Sequence, residues 1–265
     1  MTRSQKTVWV ATVTAASALR LWDLDLNGLW HDEAITAALI RLPFGEIVEC
    51  LRRDGAPPLL YFLLKVMPGT ANSESWLRLP GALASIATLP LVFRLGRELA
   101  GDRAGMWAMA LTAVAPLQVH YAREARYYPL LSLATMCAVL TLLRYTKGGR
   151  RTDLVLYTLS AVVMVYLHNV AWFFVAAAGL VLIVGVRTAA QRWHVVVANV
   201  VIFAAFAPWM SVFLEQVQSA NRLVGWIWAG AMASNQRPPE SVTDLPSLWT
   251  PMRFIRFGPQ PLGQT

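Results

Sequence analysis

Two neighbouring acids, Asp32 and Glu33, lie in the stretch GLWHDEAITA, just after the first long apolar run of the chain. A carboxylate in a suitable position takes the proton of an acceptor hydroxyl, which typically accelerates a transfer reaction about 10²–10⁴-fold. The alternative role is structural, because acids ahead of AITAALI would cap the following helix and interact favourably with its dipole. From the acid pair alone, the cap is the simpler interpretation.

A second polar segment, YAREARYY, places Glu124 between Arg123 and Arg126. Guanidinium groups bind phosphate oxygens through charge-assisted hydrogen bonds, so these arginines are candidate phosphate ligands. The alternative is a solvated turn, whose arginines reach lipid phosphates and whose tyrosines form an aromatic belt. Lys65 and Arg78 are further candidate phosphate ligands, and for both a cation that extends to the membrane interface is the simpler interpretation.

The elements that must position these side chains are strongly apolar. Hydrophobic residues make up 56% of the 265 positions and charged residues only 14%, which is more apolar than a soluble protein surface accommodates. Crossing roughly 30 Å of hydrocarbon takes about 20 predominantly apolar residues. The sequence therefore predicts an all-α, polytopic membrane protein with about seven transmembrane helices, at 7–22, 77–95, 104–121, 129–145, 154–168, 169–186 and 195–213.

The first external loop, residues 23–76, contains eight of the fifteen acids in the chain. Its segments 34–42, 44–53 and 57–67 are short helical patterns, separated by the breakers Pro43 and DGAPP. None of the three is long enough to cross a bilayer, so we predict interfacial helices that lie on the outer leaflet. Such helices would frame a groove at the membrane surface.

Basic residues collect on one side of this predicted topology. With a cytoplasmic N-terminus, the cytoplasmic segments hold eleven basic residues against three acids, whereas the other side holds twelve of each. The net charge of +8 therefore indicates orientation in a membrane and no nucleic-acid partner. We expect a multi-pass protein of the inner or plasma membrane with its active site on the external or periplasmic face. The eleven basic residues are Arg3, Lys6, Arg94, Arg97, Arg103, Arg144, Lys147, Arg150, Arg151, Arg187 and Arg192.

Four motifs in register carry a resemblance to a known family. In chain order they are LWHDEA, PPLLYFLL, RLPGALASIATLPLVFRLGRELAG and YAREARYYPLL, and an APW motif follows in the seventh predicted span. Together they resemble the GT-C superfamily of glycosyltransferases that use polyprenyl-phosphate sugars. The resemblance covers about Leu21 to Trp209 and is strongest to bacterial relatives of the dolichyl-phosphate-mannose-protein mannosyltransferases and of the lipid A aminoarabinose transferase.

The resemblance implies a membrane glycosyltransferase that moves a hexosyl or pentosyl group from a polyprenyl-phosphate carrier to an acceptor hydroxyl on the outer face. Asp32 is then the expected general base, and Glu33 binds the acceptor, orients Asp32 or shares a metal ion with it. Glu124 is expected at a metal or phosphate site, with Arg123 and Arg126 on the phosphate. A divalent metal, Mg²⁺ or Mn²⁺ held by Glu124 and Asp32, is the one candidate cofactor.

The same resemblance sets the expected partners and domains. The partners are a polyprenyl-phosphate-linked sugar donor, membrane lipids, and a lipid, glycan or protein acceptor. We expect a GT-C-like domain over residues 1–213 and an external tail over 214–265 that is truncated relative to the family. Two alternatives stay open at this point. One is a transporter or flippase of lipid-linked sugars, although the predicted spans carry few internal charges. The other is a non-catalytic truncated paralogue.

Overall fold

The computed structural model describes residues 2–186 and 188–233, with side chains described as far as Gln218. Within these residues all regular secondary structure is helical, which confirms the all-α prediction. The helices are α1 (Arg3–Leu21), α2 (His31–Leu39), α3 (Phe44–Asp54), α4 (Leu59–Val66), α5 (Glu74–Val114), α6 (Pro116–Ala122), α7 (Tyr128–Gly148), α8 (Arg151–Leu167), α9 (Ala171–Gly185) and α10 (Ala189–Ala233).

The chain divides into two compact units, Met1–Gln218 and Ser219–Thr265. The first unit is the helical bundle that carries every candidate site residue. Of the second unit, the structure describes only the helical backbone up to Ala233. The predicted external tail 214–265 therefore begins inside α10, and its residues from 234 onward lie outside the described part of the chain.

Helix α5 is a hairpin of two helical arms, because its backbone leaves the helical region at Ala100 and Gly101. Gly101 has a φ of +87°, a left-handed conformation that glycine adopts without steric penalty. The two arms pack closely just beside this turn: a Cβ on Gly96 would lie 2.8 Å from the Gly105 Cα. The arms therefore correspond to the predicted second and third spans, which the sequence separates at the same place.

Three described helices have the length and apolar composition of a membrane span: Glu74–Val114, Tyr128–Gly148 and Ala189–Gln218. Helix α9 is apolar but shorter. Each predicted span contains a helix, although the predicted span 104–121 is interrupted at Ala115, where Pro116 starts the separate helix α6. The structure thus confirms that the predicted spans are helical. That seven helices cross the membrane stays a prediction.

The three short helices predicted in the first loop are present as α2, α3 and α4. Helix α2 starts three residues earlier than predicted, at His31, and Gly55 ends α3 in a left-handed conformation with a φ of +85°. The DGAPP segment is held by two amide side chains from α10 and from the α8–α9 turn: Asn169 donates to the Gly55 carbonyl at 2.9 Å, and Gln216 donates to the Ala56 carbonyl at 3.3 Å. The predicted breaker is therefore a fixed connection, and its place at a membrane surface stays a prediction.

Two predicted cytoplasmic loops, RLGRELAGDR inside α5 and RYTKGGRR after α7, meet at the end of the bundle that lies opposite the acidic motifs. The Arg144 Nε donates to Glu98 at 2.7 Å, and the Lys147 Nζ donates to the Glu98 carbonyl at 3.3 Å. These contacts join the turn of the α5 hairpin to the end of α7. The sequence predicted both loops on one side, and the structure places them at one end of the bundle.

Candidate functional site

The acid pair lies in the first turn of α2, and it does not cap the helix. The N-cap position is Trp30, whose backbone is extended, and no side chain makes a cap hydrogen bond there. Neither acid therefore makes a cap hydrogen bond, whereas the expected interaction with the helix dipole is retained, because both acids lie in the first turn. Because adjacent helical residues point about 100° apart, the two carboxylates have different neighbours.

Glu33 is fully buried and bound to Arg78 of α5. Its Oε1 accepts from the Arg78 Nε at 2.9 Å, and its Oε2 accepts from the Arg78 Nη2 at 2.6 Å. The same Oε1 also accepts from the Ala125 backbone N–H at 2.7 Å. This carboxylate therefore ties the start of α2 to both α5 and the turn after α6.

Arg78 uses all five of its N–H donors within the protein. Besides Glu33, it donates to three backbone carbonyls of the preceding loop, those of Leu24 at 2.6 Å, Asn27 at 2.8 Å and Gly28 at 3.2 Å. Its side chain is only 5% exposed. In this arrangement Arg78 has no N–H left for a phosphate, so the geometry favours a positioning role over the predicted binding role.

Asp32 lies beside the second arginine of YAREARYY. Its Oδ2 is 3.2 Å from the Arg126 Nη2, and its side chain keeps 34% exposure. The Arg126 guanidinium also lies over the Tyr127 ring, 5.4 Å from its centroid. Its Nε is buried and has no hydrogen-bond partner among the described residues. The structure therefore brings together the predicted base and a predicted phosphate ligand.

A third acid, Asp54, belongs to the electrostatic surroundings of this pair. Partial burial of its carboxyl group raises the pKa of Asp54, the Arg126 guanidinium lowers it and the Asp32 carboxylate raises it. Tyr61 of α4 is close by, and its burial, together with Asp54, raises the pKa of its hydroxyl to about 12. From the sequence, Asp54 is predicted only as part of a helix breaker. It lies 22 residues after Asp32, and no local pattern indicates that the two carboxylates interact.

Glu124 lies on the other side of the site, paired with His120 one helical turn earlier. The His120 Nε2 is 3.0 Å from the Glu124 Oε1, and the histidine is 65% exposed whereas the Glu124 side chain is 10% exposed. The Oε2 is buried without a hydrogen-bond partner among the described residues. Burial raises the pKa of the Glu124 carboxyl, His120 lowers it and Glu33 raises it further.

A cavity of about 480 Å³ opens between the first loop, α5 and the α6–α7 turn. Its size falls within the range of small-molecule sites, roughly 300–1,000 Å³. Asp32 and Arg126 do not line this cavity. The lining residues are Leu24, Asn27, Gly28, Trp30, Glu33, Arg78, His120, Tyr121, Arg123, Glu124 and Tyr128.

The remaining predicted phosphate ligands differ in their placement. Arg123 lines the cavity, and its Nη2 donates to the Asp23 carbonyl at 2.8 Å. Lys65 instead donates to the Ile40 carbonyl at 3.2 Å and lies over the Phe44 ring. Lys65 therefore fastens α4 to the α2–α3 connection, and it does not line the cavity.

The predicted metal ligands do not form a metal site in this arrangement. Asp32 contacts Arg126 and Glu124 contacts His120. Across the described residues, no group of three or more His, Cys, Asp or Glu side chains is placed to hold a metal ion. In this arrangement Asp32 and Glu124 have other partners, and a divalent metal held by them stays a prediction.

Comparison with known proteins adds one match. A family model described as dolichyl-phosphate-mannose-protein mannosyltransferase matches residues 55–213, which is more than half of the chain. The matched region contains Arg78, the YAREARYY segment and the helices from α4 into α10, and it begins after the acid pair of α2. A search of the curated proteins finds no match.

Proposed function

Because the chain belongs to the dolichyl-phosphate-mannose-protein mannosyltransferase family, we propose that it transfers a sugar from a polyprenyl-phosphate carrier to an acceptor hydroxyl at the outer face of a membrane. Family membership makes it a membrane glycosyltransferase of the GT-C type.

One observation carries the proposal: two charged motifs that are about ninety residues apart in the sequence form a single site. Asp32 of α2 contacts Arg126 at 3.2 Å, and Glu33 accepts from the Ala125 N–H at 2.7 Å. Transfer from a sugar phosphate requires a base for the acceptor and positive charge for the departing phosphate. Asp32 can supply the base and Arg126 the positive charge, and the two side chains are in contact.

The proposed reaction assigns one task to each group. The Asp32 carboxylate takes the proton of the acceptor hydroxyl while the acceptor oxygen forms a bond to C1 of the sugar. The bond between C1 and the carrier phosphate oxygen breaks, and the negative charge that develops on the phosphate is stabilised by Arg126 and Arg123. Glu33, held by Arg78, orients the first turn of α2 and with it Asp32.

The proposed outer-face location predicts a labelling pattern. Arg53 of α3 has a side chain that is 82% exposed, and a Cβ on Gly148 at the opposite end of the bundle would meet nothing within 4 Å. In a chain whose Cys50 and Cys137 are replaced by serine, an impermeant maleimide added outside intact cells should label Arg53→Cys. It should label Gly148→Cys only after the membrane is opened. Outside labelling at position 148 would reverse the topology and move the site to the other face.

Arg126→Ala should weaken donor binding roughly tenfold or more and leave acceptor binding nearly unchanged, because a charge-assisted contact to phosphate is lost. The measurement is the Kd of the purified protein for a polyprenyl-phosphate sugar and, separately, for an acceptor. Arg53→Ala, which removes an exposed arginine from α3, is the matched control and should change neither constant. Equal weakening of both substrates by Arg126→Ala would indicate a folding defect and count against the proposed phosphate contact.

A further inference from the structure

We propose that Asn169 and Gln216 are positioning residues, which hold the Arg126 guanidinium in place through the turn between α8 and α9. This role rests on the proposed function of Arg126 as a phosphate ligand and adds the residues that support it. Gln216 lies beyond residues 55–213, the region that the family model matches, so family membership does not imply the role.

The α8–α9 turn contacts two parts of the site with two adjacent residues. The ring of His168 lies 4.6 Å from the ring of Tyr127, and the Arg126 guanidinium lies 5.4 Å from the centroid of the same tyrosine ring. The next residue, Asn169, donates to the Gly55 carbonyl at 2.9 Å. A shift of this turn therefore moves the aromatic ring beside which Arg126 lies.

The His168 ring is fixed to the backbone of its own turn. Its Nδ1 accepts a hydrogen bond from the Val170 backbone N–H at 3.1 Å. The ring also packs on Tyr127, so rotation of the imidazole would break two contacts at once. The position of the turn is thus passed on to Tyr127 by a side chain that has little freedom of its own.

Gln216 of α10 fixes the turn from the other side. Its Nε2 donates to the Leu51 carbonyl at 2.8 Å and to the Ala56 carbonyl at 3.3 Å, while its Oε1 accepts from the Asn169 Nδ2 at 3.4 Å. The residue is only 5% exposed. Buried polar networks of this kind rigidify the segments that they connect. One amide therefore joins α10, the connection between α3 and α4, and the α8–α9 turn.

Both amides can be replaced by apolar side chains of similar size. Asn169→Leu removes the donated hydrogen bonds, and the Asn169 Oδ1 has no partner to lose among the described residues. Gln216→Met removes the donors of Gln216 with little change in volume. The Leu51 carbonyl keeps a partner in this variant, because it also accepts from the Gly55 N–H at 3.1 Å.

The test is a double-mutant cycle on the Kd for a short-chain polyprenyl phosphate, measured with the purified full chain in nanodiscs. Asn169→Leu and Gln216→Met should each weaken binding roughly threefold or more, because the guanidinium is no longer held where it meets the phosphate. In an Arg126→Ala background neither change should weaken binding further, since both act through Arg126. Arg123 remains in this background as the second proposed phosphate ligand, which keeps binding measurable.

Glu215→Gln is the matched control, because it changes the neighbour of Gln216 and breaks only an exposed ion pair with Arg52. Its Kd should equal that of the unmodified protein. Unchanged binding in Asn169→Leu and Gln216→Met, or further weakening in the Arg126→Ala background, would refute the positioning role. If the unmodified protein does not bind the carrier, or if Arg126→Ala binds it equally well, the proposed phosphate contact is itself wrong and the positioning role falls with it.

Discussion

Asp32→Asn should reduce sugar transfer by roughly 10²-fold or more while the protein accumulates normally in the membrane. The reason is that an amide is not basic enough to take the proton of the acceptor hydroxyl. The measurement is the initial rate of transfer from a labelled polyprenyl-phosphate sugar, divided by the amount of folded protein. Asparagine has nearly the size of aspartate, and its carbonyl oxygen still accepts a hydrogen bond from Arg126. The change therefore removes basicity and leaves the contact at 3.2 Å available.

A control in the same loop separates this effect from a general loss of acidic charge. Asp25 is exposed, and it belongs to the DLD sequence between α1 and α2. Asp25→Asn should transfer sugar at the unmodified rate. Near-normal transfer by Asp32→Asn would refute the role of Asp32 as base, and Asp32 would then act only as the partner of Arg126.

The positions of the helices could be predicted from the sequence because they depend on local features. Apolar runs of sufficient length predict α1, α7, α8 and α9 directly, and the polar sequence RLGRELAGDR marks the turn inside α5. Breakers were located correctly, since Pro43 immediately precedes α3. The start of α2 was misplaced because Asp32 and Glu33 resemble capping residues, whereas Trp30 takes that position with its backbone alone.

The site was predictable only as far as residue types indicate chemistry. The acids of α2 and the arginines of YAREARYY were recognised, and Arg126 does contact Asp32. The role of Arg78 was not visible, because three of its acceptors are backbone carbonyls about fifty residues away, which no side-chain pattern encodes. The pairing of Glu124 with His120 had a signal in their spacing of four residues, although Glu124 lies two residues beyond the end of α6.

The contacts of Arg20, in the core of the bundle, could not be predicted from the sequence either. It is a fully buried arginine of α1, and it donates to the Ser85 hydroxyl and to the Ala113 carbonyl, which lie on the two arms of α5. The sequence places it in an apolar run, where its only visible property is its charge. Its contacts resemble those of Arg78 except that no carboxylate takes part, which makes it a suitable control for the final prediction.

Arg78→Lys should reduce transfer by roughly 10²-fold and also destabilise the fold, because an ammonium group cannot replace the planar guanidinium that binds Glu33. Lysine keeps the positive charge but offers three N–H donors in place of five, so some acceptors on Glu33 and on the preceding loop lose their partner, at about 1–3 kcal/mol for each buried acceptor. The loss should appear mainly in kcat, because Asp32 is the next residue along α2 and is displaced when Glu33 moves. Transfer kinetics and the midpoint of thermal unfolding in detergent measure the two effects.

Arg20→Lys separates a loss of position from a loss of stability. It disrupts a comparable set of buried hydrogen bonds in α1 and α5, so its unfolding midpoint should fall, but kcat per folded molecule should stay near the unmodified value. Glu33→Gln combined with Arg78→Lys should lose less activity than the two single changes predict together, because both remove the same interaction. Additive losses, or an equal fall of kcat in Arg20→Lys, would show that Arg78 only stabilises the bundle. A selective fall of kcat would place Arg78 and Glu33 among the residues that position the base, because the start of α2 is fixed to α5 and to Ala125 by this one carboxylate.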